Sequence, residues 1–419
     1  MDKIIPFKGV FFNQKKIRDL SSVVCPPYDV INEKMRNVFS KRNSHNIVRI
    51  ILSESKNKKN KYEIAKTLFN DWLKNKILVK DEEPCIYLYR VSFKIGNVKK
   101  ERIGFISLLN LNINRKNKVY PHEHTHVVPK KDRLKLLSSV KANLSPIFVL
   151  YQDKKHFIQA LCKQYSLRIK PFMTFKFDGL INDIWRITDK RTIKEIQKIT
   201  NASQLFIADG HHRFEVNKMY LEKMRKKQKA VDLKRFSYCM SYFLDATLSG
   251  VDILPIHRVI KNLKKQNSLD LIKRLKQYFI VKEIKNKKSF LAGLKKTSKT
   301  IGFYNGRYYL LFLNNRTRLD KMIKGASVHY KDLSVVALNK LVIESLLGLK
   351  LLDNEHIKYT HDLKEAVSMV DKKEADVSFL MNPVKIESLL GVAFSNEKMP
   401  PKSTFFYPKV LTGLLINKL

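Results

Sequence analysis

The chain has 419 residues, 44% of them hydrophobic and 10% aromatic, with a formal charge of +44. A chain of this kind can bury a large core, and its length suggests two or three domains or one elaborate one. The charge would ordinarily point to nucleic acid or an anionic membrane. Most of the basic residues are Lys, however, scattered in stretches such as Lys56-Asn57-Lys58-Lys59-Asn60-Lys61 and Lys285-Asn286-Lys287-Lys288. Diffuse Lys reads as solvated surface, so no specific nucleic-acid partner is expected.

Cys25, Cys85, Cys162 and Cys239 lie far apart with no Cys-x-x-Cys, which fits a reducing cytosol and no zinc knuckle. Met1-Asp2-Lys3-Ile4 begins no apolar signal region. No uninterrupted apolar run approaches about 18 residues, so no membrane span is expected and the cytoplasm is the expected location.

In chain order, Val24-Cys25-Pro26-Pro27-Tyr28-Asp29-Val30-Ile31 is the first signal. The two prolines stiffen the backbone and hold Tyr28 and Asp29 in a fixed orientation. The same run also serves as a capped turn before a helix starting near Glu33. A helix is expected from Glu63 to Leu73. Ile86 to Phe93 and Arg102 to Leu108 read as paired strands. Tyr120-Pro121-His122-Glu123-His124-Thr125-His126 follows. In an extended strand His122, His124 and His126 would share one face and could hold zinc, although this is not the helical His-Glu-x-x-His arrangement. Glu123 is an acid/base or substrate-binding candidate, and a polar surface loop is the other reading.

Helix is expected again from Asp132 to Val140 and a buried strand over Pro146 to Tyr151. The apolar run Leu205-Phe206-Ile207-Ala208 then leads into Asp209-Gly210-His211-His212-Arg213, after which Phe214, Val216, Met219 and Leu221 recur at near-helical spacing. Asp-Gly-His-His-Arg therefore sits on a strand-to-helix turn, where Asp209 can cap the helix and Gly210 permits a tight turn. Backbone N–H groups, two imidazoles and a guanidinium converge there on one point, an arrangement suited to phosphate. An N-cap flanked by surface histidines is the plain alternative. Tyr238 to Leu244 reads as a strand, Leu269 to Tyr278 and Leu333 to Leu347 as helices, and Asn305-Gly306 as a type I′ hairpin turn. His257-Arg258 after Pro255-Ile256 is a weak signal. Met399 to Gly413 carries Lys402, Ser403, Thr404 and Lys409 on an extended segment braced by three prolines. Its two lysines could bracket a phosphate if the rest of the fold completes the site. Basic loops near 56–61, 114–118 and 285–288 read as solvated insertions. The expected class is mixed α/β or α+β.

These motifs together resemble the family called domain of unknown function 1015. Its pattern appears as Ile5-Pro6-Phe7-Lys8-Gly9, Pro26-Pro27-Tyr28-Asp29-Val30, His45-Asn46, His122-Glu123-His124-Thr125, Ala208 to Arg213, Pro255-Ile256-His257-Arg258 and Met399 to Gly413. Phe214 departs from the usual Tyr and Pro401 from a frequent Gln. The Asp-Gly-His-His-Arg turn is similar to that of free serine kinases of the ParB/sulfiredoxin-like superfamily. The resemblance implies an α+β ParB/sulfiredoxin-like catalytic core with large insertions and an extra α/β subdomain. It would form one unit with approximate parts 1–255, 256–350 and 351–419, the last returning to the site.

It also implies a small-molecule phosphotransferase making O-phosphoserine from L-serine with ATP, ADP or pyrophosphate. Gly210, His211, His212, Arg213, Arg258, Lys402 and Lys409 would hold the donor. Tyr28, His122, His257, Ser403 and Thr404 would face the substrate, and Asp209 would bind Mg²⁺. The hydroxyl's proton needs a base, for which Glu123 is the first choice, then Asp29, with Asp209 assigned to the metal. Neither a Walker A loop nor the protein-kinase signature set is present. The alternatives are a ParB-like nucleotide or nucleic-acid binder without catalysis, and a regulatory protein with a vestigial pocket. The oligomeric state stays open.

Overall fold

The computed structural model describes residues 2–55, 60–112, 119–153, 155–227, 233–247, 251–263, 270–314 and 316–419. The expected loop at 114–118 and part of the one at 56–61 lie outside these residues. The class is mixed α+β, and the chain divides into two compact units. Unit 1 comprises 1–119, 125–251 and 408–419, and unit 2 comprises 120–124 and 252–407.

Unit 1 is built on a mostly antiparallel sheet. Its strands include β1 (Ile4–Ile5), β2 (Ile86–Ile95), β3 (Val98–Asn110), β4 (Ile147–Tyr151), β5 (Met173–Phe177), β6 (Leu180–Ile187), β7 (Leu205–Asp209) and β8 (Tyr238–Asp245). They run β7-β4-β8-β3-β2-β6-β5 across the sheet, with β1 on β3. The β4–β8 pair is parallel. The strands expected at 86–93 and 102–108 are the β2–β3 hairpin, paired from Tyr87↔Ile106 to Ile95↔Val98. β-branched and aromatic residues alternate along them because one face must be dry. Phe105, Leu109, Ile147, Val149, Ile207 and Phe243 form that face, sealed by residues of the helices Phe157–Arg168, Lys190–Ala202 and His211–Lys227. The segment 408–419 is sewn into the unit: Ile416 and Val10 exchange two backbone bonds, and Asn417 pairs with Asn143.

Unit 2 carries a second, fully antiparallel sheet. Its strands are β9 (His257–Ile260), β10 (Phe279–Ile284), β11 (Ile301–Tyr304), β12 (Tyr308–Leu313), β13 (Ile357–Thr360) and β14 (Val377–Leu380), in the order β10-β12-β11-β14-β9-β13. A separate hairpin pairs Asp252–Leu254 with Phe405–Tyr407. The turn at Asn305-Gly306 does join β11 to β12, but it is not type I′. Only Gly306 has positive φ, at 96°, whereas type I′ needs it at both central residues. The helix expected over Leu333–Leu347 begins as Ser334–Ala337 and continues as a π-helix over Leu338–Leu346. Its widened spacing is seen where Leu347 N bonds Val342 O. The helix expected from Leu269 to Tyr278 shortens to Leu271–Leu275, and Leu269 lies outside the described residues.

Among the described residues no helix is long and apolar enough to cross a membrane. All four cysteines are free and buried.

Candidate functional site in unit 1

β7 ends at Asp209, in register with Phe148 of β4 across a bulge. The next residue, Gly210, has φ +86°, a conformation that side chains resist. The helix His211–Lys227 starts at once, its first i→i−4 bond running from Phe214 N to Gly210 O. Gly210 thus occupies the N-cap position that the sequence gave to Asp209. The Asp209 carboxylate is taken by two cations: Arg213 Nη2 lies 3.3 Å from Oδ2 and Lys409 Nζ 3.2 Å from Oδ1. Arg213 also donates to Ser145 Oγ at 3.0 Å and to Pro146 O. A Cβ on Gly210 would stand 2.9 Å from that anchored guanidinium. Gly210→Ala is therefore expected to cost about 1–2 kcal/mol in urea unfolding, since it adds left-handed strain to a clash. An unchanged midpoint would mean that Arg213 moves freely.

His211 is buried. His212 lies half-buried, and its Nε2 accepts the backbone N–H of His126 at 3.0 Å. Burial, then the charges of His126, Lys130 and Arg213, hold the His212 imidazole below its ordinary pKa, while Asp29 opposes them. Tyr28 lies on the 3₁₀ turn Tyr28–Val30 that follows Pro26-Pro27. The Arg133 guanidinium covers its ring, 4.4 Å from the centroid. Burial and Asp29 push the Tyr28 hydroxyl up to about 12, against Arg133 and Arg213. Asp29, exposed on the same turn, thus acts on both Tyr28 and His212. A pocket of about 70 Å³ adjoins the turn. One wall is aliphatic, from Ile51, Leu136, Leu137, Leu144 and Val216; Tyr28, Arg133, Ser145 and Arg213 supply polar groups. Arg133 and Ser145 escaped the sequence reading, because a Lys-Asp-Arg run inside the helix Val127–Val140 and a Ser before Pro carry no distinctive pattern.

Unit 2 holds the other expected residues. His122 is wholly buried, its carbonyl accepting Met399 N and its Nε2 3.5 Å from Thr404 Oγ1. Glu123, beside it, is partly exposed. Arg258 is 1% exposed and directs its guanidinium to Ile256 O and, at 3.0 Å, to Lys402 O. Ser403 is buried and donates to Pro400 O at 2.6 Å, while Lys402 is exposed at φ +56°. His257 Nδ1 accepts Met381 N at 3.0 Å. Burial, with Arg258 next, lowers the His257 imidazole to about 4. Its folded pKa is thus below the unfolded value of about 6.5. Stability is undiminished above pH 6.5 and falls as pH drops toward 4, by about 3 kcal/mol in all. His257→Gln should flatten that limb in urea titrations at stepped pH, and an unchanged slope would assign the loss to other groups.

Two metal expectations meet difficulties in the structure. The strand Val119–Pro121 ends before the three histidines, and His122 is buried while His124 and His126 are exposed. They share no face, and among the described residues the one metal-compatible group is Asp353, Glu355 and His356. Magnesium is bound through one or two carboxylates together with waters and substrate phosphates. Asp209 has a cation on each oxygen, so it does not fit a direct magnesium ligand as it stands.

No curated protein matches the chain. A conserved hypothetical protein from Pyrococcus furiosus is 15% identical, with 73% of this chain and 92% of that chain covered and a TM-score of 0.36. A free serine kinase in complex with AMP is 12% identical, with 72% and 86% covered and a TM-score of 0.37. SbnI from Staphylococcus aureus, with a C-terminal truncation, is 10% identical, with 73% and 85% covered and a TM-score of 0.35. The family model described as protein of unknown function (DUF1015) matches residues 4–336, and the chain belongs to that family.

Proposed function

We propose that this protein is a small-molecule phosphotransferase acting on an alcohol, with L-serine as the acceptor implied by the sequence motifs and a nucleotide as donor. The observation that carries the reading is the Asp209–Arg213 turn. A left-handed glycine opens a helix N-terminus, and Arg213 and Lys409 meet there on a single carboxylate. An incoming phosphate replaces Asp209 as counter-ion to these two cations and receives the helix's first N–H groups. The adjoining pocket of about 70 Å³ has an aliphatic wall but is smaller than a whole nucleotide, so a donor's base would lie only partly within it.

In the transfer, the serine hydroxyl attacks the terminal phosphorus, the bond to the bridging oxygen breaks, and the nucleotide leaves. Arg213 and Lys409 balance the charge on the moving phosphoryl group. Asp29 takes the hydroxyl proton. It is preferred to Glu123 because it shares unit 1, and an electrostatic neighbourhood, with the turn. Tyr28 stays protonated and orients the acceptor. In unit 2, Arg258 is proposed to brace the Lys402 segment rather than to touch the donor.

Incubating purified protein with serine and ATP, ADP or pyrophosphate, followed by phosphorus NMR, tests the reaction directly. O-phosphoserine with a nucleotide supports the reading, and product with pyrophosphate alone would reverse the choice of donor. Arg213→Ala should weaken donor binding by about 1.5–3 kcal/mol in calorimetry. Unchanged affinity in the folded variant would remove the turn from the phosphate site. A second reading, nucleotide binding without transfer, draws on Asp209 being occupied by cations. Donor binding with no product for any alcohol would select it.

A further inference from the structure

Arg102 is 1% exposed. It follows the solvent-facing start of β3 and lies on the sheet face opposite Phe105 and the helix-covered core. Its guanidinium stands 5.3 Å from the Phe148 ring centroid and 5.4 Å from that of Tyr242. Nη1 donates to Pro408 O at 2.6 Å, and the guanidinium also acts on the Tyr242 hydroxyl. Nε and Nη2 have no partner among the described residues, and the guanidinium has no carboxylate. A buried cation without a counter-ion is costly, and an apolar residue of like volume is often as stable or more so. Stability therefore does not account for Arg102.

What it holds does. Pro408 is the residue at which the chain re-enters unit 1 after unit 2. The next residue is Lys409, whose Nζ meets Asp209 Oδ1 at 3.2 Å. Asp209 is in turn paired with Phe148, the ring beside Arg102. The contacts close a ring through Arg102, Pro408, Lys409, Asp209 and Phe148.

We propose that Arg102 is a positioning residue for the Asp209–Arg213 turn, fixing the Pro408 carbonyl so that Lys409 reaches Asp209. It acts through Lys409 and touches no substrate. Its effect on ligand binding rests on the phosphate reading of that turn, whereas its effect on Lys409 can be measured without it.

The test uses the full chain and the variants Arg102→Met and Arg102→Lys. The first readout is the rate of Lys409 acylation by an amine-selective reagent, followed by peptide mass spectrometry against exposed Lys402 in the same molecule. Lys409 should react about tenfold faster in Arg102→Met, with Lys402 unchanged and the thermal midpoint equal or raised. The second readout is pyrophosphate affinity by calorimetry. It should fall about tenfold in Arg102→Met and partly return in Arg102→Lys, which keeps one donor for the carbonyl. Equal Lys409 reactivity in a folded Arg102→Met protein overturns the proposal. So does a methionine variant that fails to fold or melts earlier with Lys409 still protected, since Arg102 would then be a packing residue. Faster Lys409 labelling in a protein that in its native form binds neither pyrophosphate nor ATP would uphold Arg102 and reject the phosphate reading.

Discussion

Asp29→Asn is expected to lower turnover by about 10²–10⁴-fold while donor affinity stays within about twofold. The substitution preserves the shape and hydrogen bonding of the side chain and removes only its basicity. The Pro26-Pro27 turn keeps the residue in place, so a loss cannot be ascribed to a collapsed loop. Asp29 already influences Tyr28 and His212, the two groups flanking the proposed phosphoryl path. Glu123→Gln is the companion measurement and should retain near-normal turnover. A dead Glu123→Gln protein alongside an active Asp29→Asn one would hand the proton to Glu123, the first choice on sequence. Single-turnover kinetics with saturating donor separates the chemical step from binding in both variants.

Asp209→Asn is expected to destabilise the fold by about 2–3 kcal/mol and yet to bind inorganic phosphate about tenfold more tightly. Removing the carboxylate charge leaves two cations facing each other. Their side chains are 12% and 13% exposed, too buried for water to screen them fully. The loss is set below that of a sealed pair because Asp209 itself is 19% exposed. Phosphate restores the missing counter-ion, so it should raise the variant's urea midpoint more than that of the native chain. Equal shifts would show that phosphate binds elsewhere. A magnesium ligand at Asp209 predicts the opposite pattern, with Mg-nucleotide binding lost in the variant and free phosphate binding unchanged.

Local pattern was legible where local chemistry decides the structure. The β2–β3 hairpin follows from β-branched and aromatic alternation. The strand–turn–helix at Leu205–Lys227 follows from an apolar run, a glycine and helical spacing. What pairing decides was not legible. Asp209 reads as a cap until Lys409, 200 positions away, is seen to claim it. His122, His124 and His126 share a face only while the strand continues, and it stops at Pro121. Arg102 opens an expected strand next to Lys99-Lys100-Glu101, and only the strand register shows that it turns inward. Arg258 illustrates the same limit: a basic residue beside His257 suggests a ligand, but its strand sits between two others and spends the guanidinium on carbonyls. The fold class could be read from composition and periodicity, whereas the partners of each charged group are set by contacts between distant segments.

The route of the chain through unit 1 sets an order of events during synthesis. Residues 1–119 and 125–251 emerge first, but the unit also needs 408–419. Val10 waits for Ile416 and Asn143 for Asn417, while Asp209 waits for Lys409. All of unit 2 is therefore translated while unit 1 lacks its closing strand and one cation of its proposed site. Until 408–419 are made, unit 1 lacks Leu414, Leu415 and Ile416, which are all buried in the finished fold, so its core cannot close before the last residues of the chain are added. The proposed anion site at Asp209 gains Lys409 only with that segment, so any ligand that needs both cations must wait until the polypeptide has returned to where it began.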